Sequence, residues 1–382
     1  MKPGSVSAST GPKLGLIVNP LAGLGGRVGL KGSDGRDVQE RALALGAQPL
    51  AGRRAVEALA RLAGAGPEMA LITPPGEMGG NAAREIGFEP ELTGDMETGR
   101  PTTALDTRRA AEAMVRRGAD LILFAGGDGT ARDVFDAVGA DRAVLGIPAG
   151  VKMHSAVYAV NPARAGELAS DFLTGRVATM RRGEVMDLDE EALRRGQVNV
   201  RLYGYLNVPF ERRRLQSLKT ASPPVEAAVQ AEIGRRLAGQ MSDDGLYVIG
   251  PGTTTQAVLD ALGLKGTLIG VDVVHQGRLL ARDVGEAALL ELIPGRRARV
   301  VLSLIGGQGF LFGRGNQQIS PAVLKHIQRR DIIVVAAPQK LQSLAGRPLL
   351  VDTGDSSLDR RLAGYIKIVT GAWDETVYRV SA

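Results

Sequence analysis

Short continuous apolar runs alternate along this chain with longer stretches of helical spacing. Leu14–Val18 is such a run and stops at Asn19-Pro20; Met69–Thr73 is another and stops at Pro74-Pro75-Gly76. Both read as buried strands closed by turns. Between them, Val56–Leu62 has helical spacing. Asp106–Arg117 sets Ala and Met on one side and Arg and Glu on the other, with Asp106 or Thr107 as cap and Gly118 as stop. Asp120–Ala125 is then a strand, Ala131–Val138 a helix and Ala143–Ile147 a strand. This alternation predicts a parallel α/β sheet, in which ligands bind at the carboxyl ends of strands. Asn19, Gly76 and Gly126–Thr130 all fall at such ends.

The pattern changes after about residue 175. Val177–Leu188, Val198–Val208, Leu246–Ile249, Thr267–Val274 and Ala298–Leu304 read as strands, and His275–Arg278 as a hairpin turn. Pro223–Leu237 and Thr254–Leu262 read as intervening helices. From Pro321 the alternation returns, with Pro321–Arg330 helical and Asp331–Ala336 a strand. The expected division is an α/β domain over 14–160, a strand-rich domain over 161–320, and a segment 321–382 that packs back on the first domain. A chain of 382 residues exceeds one comfortable core, which supports two domains.

Composition narrows the chemistry. With no cysteine, disulfides, thiolate catalysis and Cys-bound zinc are excluded. His154, His275 and His326 are scattered and no HExxH occurs, so a metal would be oxygen-liganded, such as magnesium. The net charge of +6 suits polyphosphate ligands. Aromatic content of 4% with a single Trp offers few stacking platforms, and the basic clusters (Arg212–Arg214, Arg235-Arg236, Arg296, Arg297 and Arg299) are short, so a nucleic-acid partner is not expected. Leu14–Val18 is too short for a secretory leader's core, and no apolar stretch of about 18 residues occurs. A cytoplasmic location without membrane partners is the expectation.

The feature richest in chemistry is Gly126-Gly127-Asp128-Gly129-Thr130, between strand and helix. Three glycines permit close approach of a ligand, and the following helix points its first amides at what sits over the loop, which favours phosphate. Thr130 adds a hydroxyl. A carboxylate in a phosphate cradle repels phosphate unless it has a chemical role. It could bind a metal ion, or take a proton from an attacking hydroxyl. No Gly-Lys pair, GxGxxG, HRD or DFG occurs, so P-loop, dinucleotide-fingerprint and protein-kinase designs are absent. Gly250–Thr254 also lies between strand and helix and is a second candidate phosphate turn. Gly306–Gly309 is a weaker one. Lys152 is a candidate phosphate partner.

Gly126–Thr130 resembles the GGDGT motif of the NAD kinase and diacylglycerol kinase superfamily. Leu16–Gly26, Thr73–Gly79, Gly146–Ser155, Gly250–Gln256 and Gly306–Pro321 make the chain similar to the ATP-NAD or AcoX kinase branch. The resemblance implies a Rossmann-like first domain and a strand-rich, β-sandwich-like second domain that binds dinucleotide, with the site in the crevice between them. It implies magnesium-dependent transfer of a phosphoryl group from ATP or polyphosphate to the 2′-hydroxyl of NAD or NADH, in a homo-oligomer. Carried over, Asp128 is the general base, and Gly126, Gly127, Gly129 and Thr130 cradle phosphate. Asn19, Lys152, Gly252, Thr253, Thr254 and Asn207 join them as nucleotide-binding candidates. One departure stands out. Typical NAD kinases hold the dinucleotide with an Asn-Glu pair, whereas here Val208 follows Asn207. Either Glu184 or Asp187 supplies the acid, or the acceptor differs. The rivals are a kinase acting on another small-molecule or lipid hydroxyl, and a non-catalytic nucleotide-binding regulator.

Overall fold

Five of the apolar runs pair into one parallel sheet. They are β1 (Lys13–Val18), β2 (Ala70–Thr73), β3 (Glu91–Leu92), β4 (Leu121–Gly126) and β5 (Val144–Pro148), in the order β3-β2-β1-β4-β5. β1 and β4 are flanked on both sides, and every residue of β4 is buried. This is why they read as continuous apolar runs rather than as alternating ones. The computed structural model describes residues 11–30, 36–64, 68–94, 102–140, 142–151, 153–188, 200–211, 214–215, 226–241, 243–305 and 307–382. They divide into two units. Unit 1 takes the described residues of Met1–Gly23, Pro49–Leu188 and Val200–Gln216; unit 2 takes those of Leu24–Gln48 and Ser217–Ala382.

Around the unit 1 sheet, helix Ala51–Ala63 packs on helix Pro162–Leu173, and helix Ala104–Arg116 on helix Asp128–Val138. Alanines Ala55, Ala58, Ala165 and Ala169 join Leu59, Leu62 and Leu168 in the core, which lets helices approach closely. Helix Ala104–Arg116 begins at a capping box: the Asp106 carboxylate accepts from the Thr103 N–H at 2.8 Å and from its hydroxyl at 2.9 Å. Asp106 is therefore a capping residue, three positions inside the cap itself. A hairpin of β6 (Met180–Leu188) and β7 (Val200–Pro209) belongs to unit 1, so the boundary expected at residue 160 falls later in the chain.

Unit 2 is strand-rich, as expected. β8 (Leu246–Ile249), β9 (Asp272–His275), β10 (Arg278–Ala281), β11 (Ala298–Ser303), β12 (Phe310–Phe312), β13 (Ile332–Val335), β14 (Leu349–Val351), β15 (Gly364–Val369) and β16 (Glu375–Ser381) form one mixed sheet, ordered β10-β9-β8-β11-β13-β15-β16-β14-β12. The tight turn expected at His275–Arg278 joins β9 to β10 through Gln276 and Gly277, both at positive φ. β8, β11 and β13 run parallel side by side.

Two expectations are corrected by the structure. Residues 321–382 supply β13–β16 to this second sheet instead of returning to the first domain. An apolar run such as β13 suits either sheet, and only pairing with β11 and β15 selects one. The helix expected over Pro321–Arg330 is limited to Pro321–Leu324, with a 3-10 turn at Arg329–Asp331. Val323, Leu324 and Ile327 bury without a continuous helix. Among the described residues no helix is long and apolar enough to cross a membrane.

Candidate functional site

The carboxyl ends of β1, β4 and β5 bring together the polar residues of unit 1. Gly126 ends β4, and Gly127 is the N-cap of helix Asp128–Val138 with no side chain to offer its first turn. The ladder begins with the Ala131 N–H on the Gly127 carbonyl. The amides of Asp128, Gly129 and Thr130 precede it, which is the arrangement that binds an oxyanion. The two glycines are steric requirements. A Cβ on Gly126 would lie 2.4 Å from the Cβ of Thr130, and one on Gly127 would lie 3.1 Å from the Cα of Gly150. The Gly126 carbonyl accepts from the amides of Ala149 and Gly150, both at 3.0 Å, which ties the β5 end to the loop.

Asp128 is held from the far side of that tie. Its Oδ2 accepts from the His154 N–H at 2.7 Å, and its Oδ1 from the Ser155 N–H at 3.1 Å. The side chain is only 9% exposed, and the His154 Nδ1 stands 3.6 Å from the same Oδ2. The Ser155 hydroxyl accepts from the Met186 N–H at 2.9 Å, which anchors this segment to β6. Each carboxylate oxygen therefore spends one lone pair on a backbone donor and keeps another. A carboxylate in a helix's first turn is also favoured by the helix dipole.

Asn19 reaches the loop indirectly. Its amide donates to the Thr130 hydroxyl at 3.0 Å, while its Oδ1 accepts from the Leu21 N–H at 3.2 Å. A hydroxyl that accepts from Asn19 has its own hydrogen directed elsewhere, so Thr130 acts as a donor.

Asn207 is not brought to this edge. It sits on β7 opposite Arg182 and bridges to Ala143, at the amino end of β5. Five residue steps of strand separate Ala143 from Pro148, roughly 16 Å. Of the two acids offered for the missing Glu, Glu184 lies on β6 opposite Tyr205, and Asp187 has a partner set of its own. Asp187 pairs with Arg132, one helical turn beyond Asp128, and with Arg201 at 2.7 Å. Lys152 and Gly306 lie outside the described residues. Gly252, Thr253 and Thr254 occupy unit 2, where Gly252 (φ +134°) caps helix Thr253–Ala261.

Nothing in the sequence marked out the His154 and Ser155 amides or Arg132. The first two lie within Gly146–Ser155, but backbone donors leave no mark in residue identity. Further along the same helix, burial pushes the Asp133 carboxyl above its ordinary range, against hydrogen bonds from Arg108.

A parallel α/β unit with an acid-bearing glycine loop at its carboxyl edge, followed by a second unit around a mixed sheet, defines the class. The chain belongs to the ATP-NAD kinase family: residues 14–177 match the ATP-NAD kinase N-terminal domain, and residues 242–380 match the C-terminal domain. Membership implies a phosphotransferase. No curated protein matches the chain. A crystal structure of a candidate diacylglycerol kinase from Bacillus anthracis str. Sterne is similar at 17% identity, over 48% of this chain and 48% of that one, with a TM-score of 0.25. The chain thus aligns with about half the length of that protein.

Proposed function

We propose that the protein is an NAD kinase. It transfers a phosphoryl group from ATP or polyphosphate to the 2′-hydroxyl of the adenosine ribose of NAD or NADH. The observation that carries this reading is the fixed carboxylate of Asp128 beside three first-turn amides. The ribose oxygen attacks the terminal phosphorus of the donor, and its proton passes to Asp128. The bond to the bridging oxygen breaks, and ADP or a shortened polyphosphate leaves. The Asp128–Thr130 amides and the Thr130 hydroxyl stabilise charge on the transferring group. In unit 2, the Gly252–Thr254 turn is read as a second phosphate turn.

Magnesium fits this site as an ion carried by the donor's phosphate oxygens. Among the described residues no three acids or histidines gather to cage one, and Asp128 has a single spare lone pair on each oxygen. Bound in that way, the ion would supply positive charge against the phosphate oxygens.

The position of Asn207 favours a second reading, in which the same transfer is made to a different small-molecule hydroxyl. The test is NADP formation by the purified chain with NAD or NADH, magnesium, and ATP or polyphosphate, with Asp128→Asn alongside. NADP from the wild type and not from the variant supports the assignment. NADP from both removes the base role, and NADP from neither moves the acceptor elsewhere.

A further inference from the structure

At the carboxyl ends of β8, β11 and β13, beneath the Gly252–Thr254 turn, lies a cluster around Lys340. Lys340, in the short helix Pro338–Gln342 after β13, is 7% exposed. Its ammonium donates to the Thr254 hydroxyl at 3.1 Å and to the Ser303 hydroxyl at 3.3 Å. Thr254 is fully buried behind the Gly252 turn, and Ser303 ends β11. A Cβ on Gly252 would stand 3.4 Å from the Ser303 Cβ, so the glycine keeps the face above Ser303 open.

Two of the three threonine hydroxyls at the turn accept hydrogen bonds. The Thr253 hydroxyl accepts from Gln230 at 3.2 Å, and the Thr254 hydroxyl accepts from Lys340. The Thr255 hydroxyl donates to the Gly252 carbonyl at 2.9 Å, which occupies the acceptor nearest the turn. Ser303 accepts from Lys340, and among the described residues its own hydrogen is directed at the Leu304 carbonyl over a long 3.5 Å. A hydroxyl that receives a hydrogen bond becomes a better donor. Thr253, which is exposed, and Ser303 therefore present O–H donors above a buried positive charge.

We infer that unit 2 holds an anion site of its own, in which Ser303 and the Gly252–Thr253 turn bind a phosphate group of a polyphosphate ligand and Lys340 is the positioning residue beneath them. Several donors around one ammonium match an oxyanion with several acceptor oxygens. The inference rests on the phosphate reading of the Gly252–Thr254 turn, and not on NAD being the acceptor or on Asp128 being the base.

The probe is inorganic pyrophosphate, titrated calorimetrically into the full chain as wild type, Lys340→Met, Lys340→Arg and Asp128→Asn. Lys340→Met is expected to weaken binding by about tenfold or more, the scale of one charge-assisted hydrogen bond. Lys340→Arg should retain most of the affinity, which a purely structural role would not predict. Where circular dichroism shows Lys340→Met unfolded, Ser303→Ala carries the test with the same expectation. Equal binding by wild type and Lys340→Met, or none by wild type, overturns the proposal. So does a loss confined to Asp128→Asn, which would put pyrophosphate on the first loop alone. Pyrophosphate binding that depends on Lys340 in a chain that makes no NADP would refute NAD as the acceptor and leave this site standing.

Discussion

Asp128→Asn would remove the base assigned to the site, and the geometry here predicts a structural cost as well. The carboxylate accepts one backbone N–H on each oxygen, from His154 and from Ser155. An asparagine has one acceptor oxygen. One of the two N–H groups would keep a neutral bond in place of a charge-assisted one, a loss of about 1 kcal/mol. The other would face an amide NH2 in a site only 9% exposed, which costs about 2 kcal/mol for an unsatisfied buried donor. The sum is about 3 kcal/mol, or a fall in melting temperature of roughly 6–12 °C for a unit of this size. Scanning calorimetry of wild type and variant, without nucleotide, measures it. A loss below about 0.5 kcal/mol would refute the reasoning, because the two N–H bonds would then contribute nothing that a neutral amide cannot replace. The NADP assay of this variant should be run well below its lowered melting temperature, so that lost chemistry is not confused with lost fold.

Two further outcomes follow from the packing and charge pairing of unit 1. Gly126→Ala drives a Cβ to 2.4 Å from the Thr130 Cβ, which no rotamer change relieves, and urea denaturation should show a loss of about 1–3 kcal/mol that Thr130→Gly in the same chain partly restores. Burial pushes the Asp171 carboxyl up, but hydrogen bonds from Arg214 and Arg176 outweigh it and hold the group below its ordinary value. Its stabilising contribution is thus present above the unfolded carboxylate's pKa of about 3.9 and is lost as pH falls through the lower folded value. Asp171→Asn should make stability less pH-dependent in that acid window, as followed by denaturant melts at stepped pH.

The strand β4, the loop Gly126–Thr130 and the helix after it were legible in the sequence, because an apolar run, a glycine cluster and a helical period are all local. The same holds for the β9–β10 turn at Gln276-Gly277 and for the alternation that puts β1, β2, β4 and β5 into one parallel sheet. Local pattern could not place Asn207: its neighbour is set by how the β6–β7 hairpin meets β5, and a strand residue looks the same at either end of a sheet. Nor could it assign 321–382, whose strand β13 pairs with β11 only once both are folded. Lys340 had no signal at all, since 86 residues separate it from Thr254 and 37 from Ser303. The fixing of Asp128 also waited for the fold, because its donors are backbone amides that any residue would carry. Sequence alone determined the strands β1, β2, β4 and β5 and the loop that bears the acid, through short-range sterics and hydrophobic period. Tertiary structure decided which groups meet that acid, because hydrogen-bond partners across the chain depend on strand order and register, and neither is written in any short window of residues.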